Sequence, residues 1–168
     1  HMGVALLILG MLIAARLYAY REKVLPHLPK HLTWTAAVLL VSTLVQIFLG
    51  TQVRESVDAV AERMGEASRS MWLSELSINY EIHQVFYYLV VALAVALGLR
   101  LKNHLSTFPL GKWMLLGITL SLGAEVALGI GMHNFGIPAW MQPLHLLFAT
   151  CLFACEWALL ASLLIWNQ

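Results

Sequence analysis

Two histidines carry the first chemical reading of this chain. His83 stands in Asn79-Tyr80-Glu81-Ile82-His83-Gln84, at the start of an apolar run. His145 stands in Ala139-Trp140-Met141-Gln142-Pro143-Leu144-His145, at the start of another. Each lies about one helical turn inside the edge of its run. Pro143 falls within a first turn, where its missing N–H is not needed. Two imidazoles on two helices therefore come out at one depth on one side. Such a pair can hold a heme iron from its two faces, with the macrocycle in an apolar slot between helices. A single histidine at a membrane boundary is more often an interface residue than a ligand. The matched depth is what sets this pair apart.

The neighbours fit the same chemistry. Gln46, Gly50 and Arg54 fall at i, i+4 and i+8 on one helix face. Gly50 admits a flat ligand or a second helix, and Arg54, at the level of the histidines, could pair with a propionate. Arg54 is also a residue that anchors at an interface. Gly117, Ser121, Glu125, Gly129 and His133 step by four along another run, a face suited to close packing. Glu125 and Glu156 are acids inside apolar runs, either hydrogen-bonded structural groups or members of a proton or quinol path. Glu156 follows His145 by eleven residues, about 16 Å further along the same face. His133 precedes the turn signal Asn134-Phe135-Gly136 and reads as a boundary residue. A zinc site from His83, His133 and His145 is the alternative, without any Cys at that level. His27, His31 and His104 fall in connecting loops. Cys151 and Cys155, four apart on one helix, read as small packing residues rather than a disulfide. There is no Cys-x-x-Cys-His, so a heme would be held without covalent attachment, and no phosphate loop, zinc-protease motif or serine-hydrolase motif occurs.

These residues need elements to position them. Of 168 residues, 60% are hydrophobic and 11% charged. A soluble domain carries about 25% charged residues, and disordered chains are more polar still. Both classes are excluded. A formal charge of +1 leaves no basic field to attract nucleic acid. Five stretches reach the roughly 20 residues of a membrane span: Val4 to Ala19, Leu32 to Val53, Tyr80 to Leu101, Leu110 to Met132 and Trp140 to Trp166. The first connection carries Arg16, Arg21, Lys23 and Lys30 against Glu22; the third carries Arg100, Lys102 and Lys112 with no acid. The positive-inside rule places both in the cytoplasm, with the N-terminus outside and the C-terminus inside. The long second connection is mixed in charge. Within it Val57, Val60, Ala61 and Met64 recur at helical spacing, which predicts a short amphipathic helix lying on the outer surface, either a plain loop helix or a lid.

The segments Gln46-Ile-Phe-Leu-Gly-Thr-Gln-Val-Arg-Glu55, the helix start around His83, and Gly136-Ile-Pro-Ala-Trp-Met-Gln-Pro-Leu-His-Leu146 resemble the C-terminal half of heme A synthase. The likeness runs from about Thr33 to Trp166. Members of that family oxidise the C8 methyl of heme O to the formyl of heme A, for cytochrome oxidase assembly. They usually have eight spans in two four-helix halves, each with a histidine pair near the outer face. The resemblance implies heme b as cofactor, with His83 and His145 as its axial iron ligands. The catalytic half of the family carries a Glu three residues before its first histidine. Tyr80 stands there in this chain and Glu81 follows it, so Glu81 and the buried Glu125 are the acids expected to act in catalysis. Gln84 stands where the family commonly has Arg. Only one histidine pair is present, so a homodimer or a missing N-terminal half is expected to supply the other.

The chain is thus expected to be an all-α integral membrane protein of five transmembrane helices, in a bacterial-type plasma membrane. Residues 1–31 form an N-terminal helix and basic loop, and residues 32–168 a heme-binding four-helix bundle. The expected function is heme A synthase or its heme-b half, with a quinol or another carrier as electron donor and heme O as possible substrate. Two alternatives remain: a b-type electron-transfer subunit that never converts heme O, and a heme-free membrane scaffold.

Overall fold

The structure, a computed structural model, describes residues 2–19 and 28–166. The basic residues Arg21 and Lys23 of the first connection, with Glu22 and His27, lie outside the described residues. Five helices follow one another: α1 Met2–Ala19, α2 Lys30–Met64, α3 Ile78–Leu101, α4 Pro109–Asn134 and α5 Met141–Trp166. A 3-10 segment, Glu66–Glu75, links α2 to α3, and a short one, Lys102–His104, follows α3. Among the described residues there is no strand. All five helices are long and apolar enough to cross a membrane. His31 sits in the first turn of α2 rather than in a loop, and its carbonyl accepts a bond from the Thr35 hydroxyl at 2.7 Å.

Four of the expected spans agree with the helices to within a few residues. The second does not. α2 runs on unbroken for 35 residues to Met64, about 52 Å at the α-helical rise, well beyond the hydrocarbon core of roughly 30 Å. No separate amphipathic helix lies on the surface; residues 57–64 are the far end of α2. No glycine or proline separates Val53 from Met64, so nothing stops the helix before Gly65, whose φ of 73° ends it. The apolar stripe is covered by protein. Val57 and Val60 form a small core with Trp72 and Ile137, and Leu73, Leu76 and Met132 pack around it.

α2 packs along α3, α4 along α5, and α2 against α5, while α1 lies on the outside of α5. α3 and α4 touch sparingly. A cleft of about 600 Å³ runs between them, lined by Tyr87, Tyr88, Val91, Leu115, Leu122 and Val126 among others. The main core lies in the half of the bundle away from the histidines. Leu32, Leu39, Leu97, Leu101, Ile118, Leu159 and Leu163 are almost fully enclosed there. The indole N–H of Trp157 donates to Gly10 O at 2.7 Å and ties α1 to α5. Arg100 donates to the Thr35 hydroxyl and ties α3 to α2.

The small-residue stripe on α4 makes the expected close approach at one position. A Cβ on Gly117 would stand 2.5 Å from Cys155 Sγ. Gly123 and Gly129, higher on α4, would meet nothing within 4 Å. Cys155 is a packing residue, as its spacing suggested, and both cysteines are free thiols. Gly117→Ala should therefore lower thermal stability in detergent, by about 1–3 kcal/mol for overpacking. Cys155→Ala in the same chain should restore most of the loss, a coupling that a double-mutant cycle reads directly. Additive effects would mean that the two residues do not meet.

Candidate functional site

α3 begins at Ile78, just after an extended Ser77 whose hydroxyl lies 3.0 Å from that of Ser56 on α2. α5 begins at Met141, just after the turn that joins it to α4. His83 and His145 are thus the sixth and fifth residues of their helices, and their depths match. The two rings face each other across the bundle with centroids 6.4 Å apart and planes inclined at 78°. One metal atom held between two imidazoles requires about 6.2 Å, from two metal–nitrogen bonds of about 2.0 Å and about 1.1 Å from each nitrogen to its ring centre. The spacing fits a bis-imidazole iron.

α2 shapes the back of this site. Gln46 Nε2 donates to the backbone carbonyl of His83 at 3.1 Å. A Cβ on Gly50 would stand 3.3 Å from His83 Cε1, so the missing side chain is what lets α2 approach the ring. On the other side, Glu125 Oε2 on α4 lies 3.2 Å from His145 Nδ1. The angle of a formed hydrogen bond is not met there. Gln46 Oε1, His83 Nδ1, Glu125 Oε1 and His145 Nδ1 are all enclosed without a hydrogen-bond partner. Each such atom costs about 1–3 kcal/mol.

No residue is fully buried between 44 and 56 on α2, 78 and 89 on α3, 122 and 134 on α4, or 142 and 151 on α5. That band is about 15–20 Å deep. Within it Ile47, Phe86 and Leu122 are half-buried and pack against the edge of the main core. Gln46, Gly50, His83, Glu125 and His145 all lie in the band.

Other expected residues are not at the pair. Arg54 is exposed and makes an ion pair with Asp58 at 3.5 Å, one turn along α2. Glu81 is exposed in the first turn of α3. His133 is taken by other partners: Tyr80 Oη lies 2.7 Å from its Nδ1, and Gln84 Nε2 donates to Tyr80 Oη at 2.9 Å. Among the described residues no group of three or more His, Cys, Asp or Glu could hold a metal ion, so the zinc alternative is not assembled. Glu156 is deep in the opposite half, 1% exposed, and accepts a bond from the Thr43 hydroxyl at 3.0 Å.

The cap over the histidine end was not foreseen. Ile137 has φ +56°, a backbone conformation that a β-branched residue rarely adopts. Three contacts hold it. Its N–H donates to Met132 O at 2.8 Å, Arg69 Nη1 donates to its carbonyl at 2.6 Å, and its side chain is buried with Val57, Val60 and Trp72. Arg69 also bonds Glu66 and lies 4.4 Å over the Trp72 ring. The sequence signal available was Gly136-Ile137-Pro138, a turn between two spans; nothing in it points to Arg69, 68 residues away. The 3-10 segment thus clamps the turn that launches the His145 helix.

Comparison with known proteins adds one finding. The COX15-CtaA family model, described as cytochrome oxidase assembly protein, matches residues 1–156. No curated protein and no solved structure matches the chain.

The clamp can be tested by itself. Arg69→Ala removes the bond to Ile137 O and the stacking on Trp72, a loss of about 1–2 kcal/mol, or roughly 5–30-fold in local opening. Hydrogen–deuterium exchange of residues 133–141 should accelerate by that factor, with the amides of the α2–α3 membrane segments unchanged. Exchange at the wild-type rate would mean that burial alone holds Ile137.

Proposed function

The chain belongs to the heme A synthase family of cytochrome oxidase assembly proteins, and from this premise we propose that its histidine pair is a heme b site serving heme A synthesis. The observation that carries this reading is the 6.4 Å separation of the His83 and His145 rings. It is supported by the core-free band around them and by the four unpaired polar atoms at that level.

In this reading His83 and His145 would hold the heme iron. Gln46 fixes the backbone of His83, and Gly50 keeps the back of its ring clear. Arg54, at the end of the same helix face, would swing from Asp58 to a propionate. A heme held there supplies one-electron transfer. The apolar side chains of the surrounding helices would limit water at the iron. Glu125, close to His145, and Glu81, at the mouth of α3, are the acids placed to take or give a proton. The reaction served is oxidation of the C8 methyl of heme O to the formyl, a net loss of four electrons, with a quinol or another carrier as electron donor to the heme and dioxygen as the oxidant that takes up both. A second histidine pair, where conversion needs one, comes from a second copy of this chain or from an N-terminal half. The basic connections lie on the cytoplasmic side and the heme near the outer face of the membrane.

A second reading, a b-type electron-transfer subunit without conversion, is favoured by one observation. His133 is tied to Tyr80, so among the described residues His83 and His145 are the one facing histidine pair at this level.

A reduced-minus-oxidised visible spectrum of purified protein, with pyridine hemochrome identification, tests the proposal. A low-spin b-type signal is expected, lost in His83→Ala and in His145→Ala. Recovery of heme O or heme A with the protein favours the synthase over the electron-transfer subunit. No heme after reconstitution, or full retention in either histidine variant, overturns the assignment. Arg54→Ala should weaken heme retention about tenfold while keeping the spectral type, as loss of one charge-assisted pair worth roughly 1.4 kcal/mol requires. Unchanged retention would leave Arg54 an interface anchor.

A further inference from the structure

The two histidines have unequal surroundings. Beside His83 the polar side chain is Gln46, a neutral amide engaged with the backbone. Beside His145 it is Glu125, whose Oε2 lies 3.2 Å from Nδ1. Glu125 comes from α4 and His145 from α5, and these two helices are packed along each other below this level. Both groups keep an enclosed polar atom unpaired, Glu125 Oε1 and His145 Nδ1. The distance is already that of a hydrogen bond; only the angle is off. Contacts at catalytic sites commonly tighten in this way when the site is filled. Among the described residues no other carboxylate oxygen lies within 4.0 Å of a ring nitrogen of His83 or His145.

An imidazole that donates its Nδ1–H to a carboxylate is fixed in tautomer and orientation, and its other nitrogen becomes a stronger donor to a metal. A stronger donor, and a negative charge nearby, both favour the more highly charged metal state. We propose that Glu125 is the positioning residue of His145. It accepts the Nδ1–H, aims the other nitrogen into the band toward His83, and lowers the reduction potential of the iron held there. This rests on the heme reading of the histidine pair. It gives Glu125 a role different from proton transfer: it acts through His145, on the iron's redox balance. The asymmetry assigns the tuning to the α4–α5 side of the bundle and leaves His83 the less basic ligand.

The test is a spectroelectrochemical redox titration of the heme-loaded full chain. Glu125→Leu removes both acceptor and charge; Glu125→Gln keeps an acceptor oxygen and removes only the charge. The midpoint potential should rise in Glu125→Leu by at least a tenfold change in the ferric-to-ferrous preference, 59 mV for a one-electron couple. Glu125→Gln should fall between it and the wild type. Glu156→Gln, a change of the other membrane acid in the far half, should titrate with the wild type. A wild-type potential in Glu125→Leu with heme retained overturns the proposal, because a merely structural acid would not move it. Where neither Glu125 variant retains heme, ¹⁵N-histidine spectra of the heme-free chain decide. A His145 Nδ1–H resonance displaced between wild type and Glu125→Leu supports the contact, and an unmoved one overturns it. A wild-type chain that takes up no heme instead overturns the heme reading, and the ¹⁵N comparison still judges the contact.

Discussion

Four helices pass one another over about 15–20 Å without any of them fully burying a residue, and the rest of the structure is arranged around that constraint. Apolar packing in this band is partial, through half-buried residues such as Ile47, Phe86 and Leu122. The helices must be fixed on both sides of it. On one side lies the main core, with Leu39, Leu97, Ile118 and Leu159 enclosed together. On the other lies a second, smaller core built from Val57, Val60, Trp72 and Ile137. The band between them holds four of the enclosed polar atoms that lack a partner, on Gln46, His83, Glu125 and His145. In hydrocarbon every enclosed polar group needs a partner, so a cluster of unpaired ones at one level is costly unless something completes it. The bundle therefore resembles two clamps with a slot between them.

This division explains why α2 is so long. Its lower half belongs to the main core and its upper half to the small one, with Gln46 and Gly50 in between. One rigid element joins both clamps and forms the back wall of the slot. The 3-10 segment completes the upper clamp through Arg69, which reaches the carbonyl of a strained Ile137. Strain of this kind costs of order 1–3 kcal/mol and persists where surrounding contacts over-determine the backbone. Here those contacts come from three separate stretches of chain. The place they hold is the turn from which the His145 helix starts.

Much of this was legible in the sequence, because hydrophobic runs and the depth of a residue within them are local properties. The matched depths of His83 and His145, and the Gln46–Gly50 face, needed only counting along helices. The end of α2 was misjudged because the boundary was placed where the apolar run stops. The helix runs on to the first glycine beyond the apolar run, Gly65, whose positive φ ends it. Glu125 was legible as an acid in an apolar run, but not its contact with His145, which depends on how α4 and α5 rotate against each other. Arg69 and Trp72 were illegible for the same reason. Their partners are set by tertiary folding alone.

The order in which these contacts can form follows from the chain. The α2–α3 and α4–α5 pairs are neighbours in sequence, but the Thr43–Glu156 bond that joins them spans 113 residues. At about 5–20 residues per second of synthesis, Thr43 waits roughly 6–23 s for Glu156 to be made. In that interval a threonine hydroxyl can satisfy itself on a carbonyl of its own helix. His83 has no such provision, since its ring partner lies on the last helix. The His83–His145 pair is not assembled until α5 stands beside α3 in the membrane.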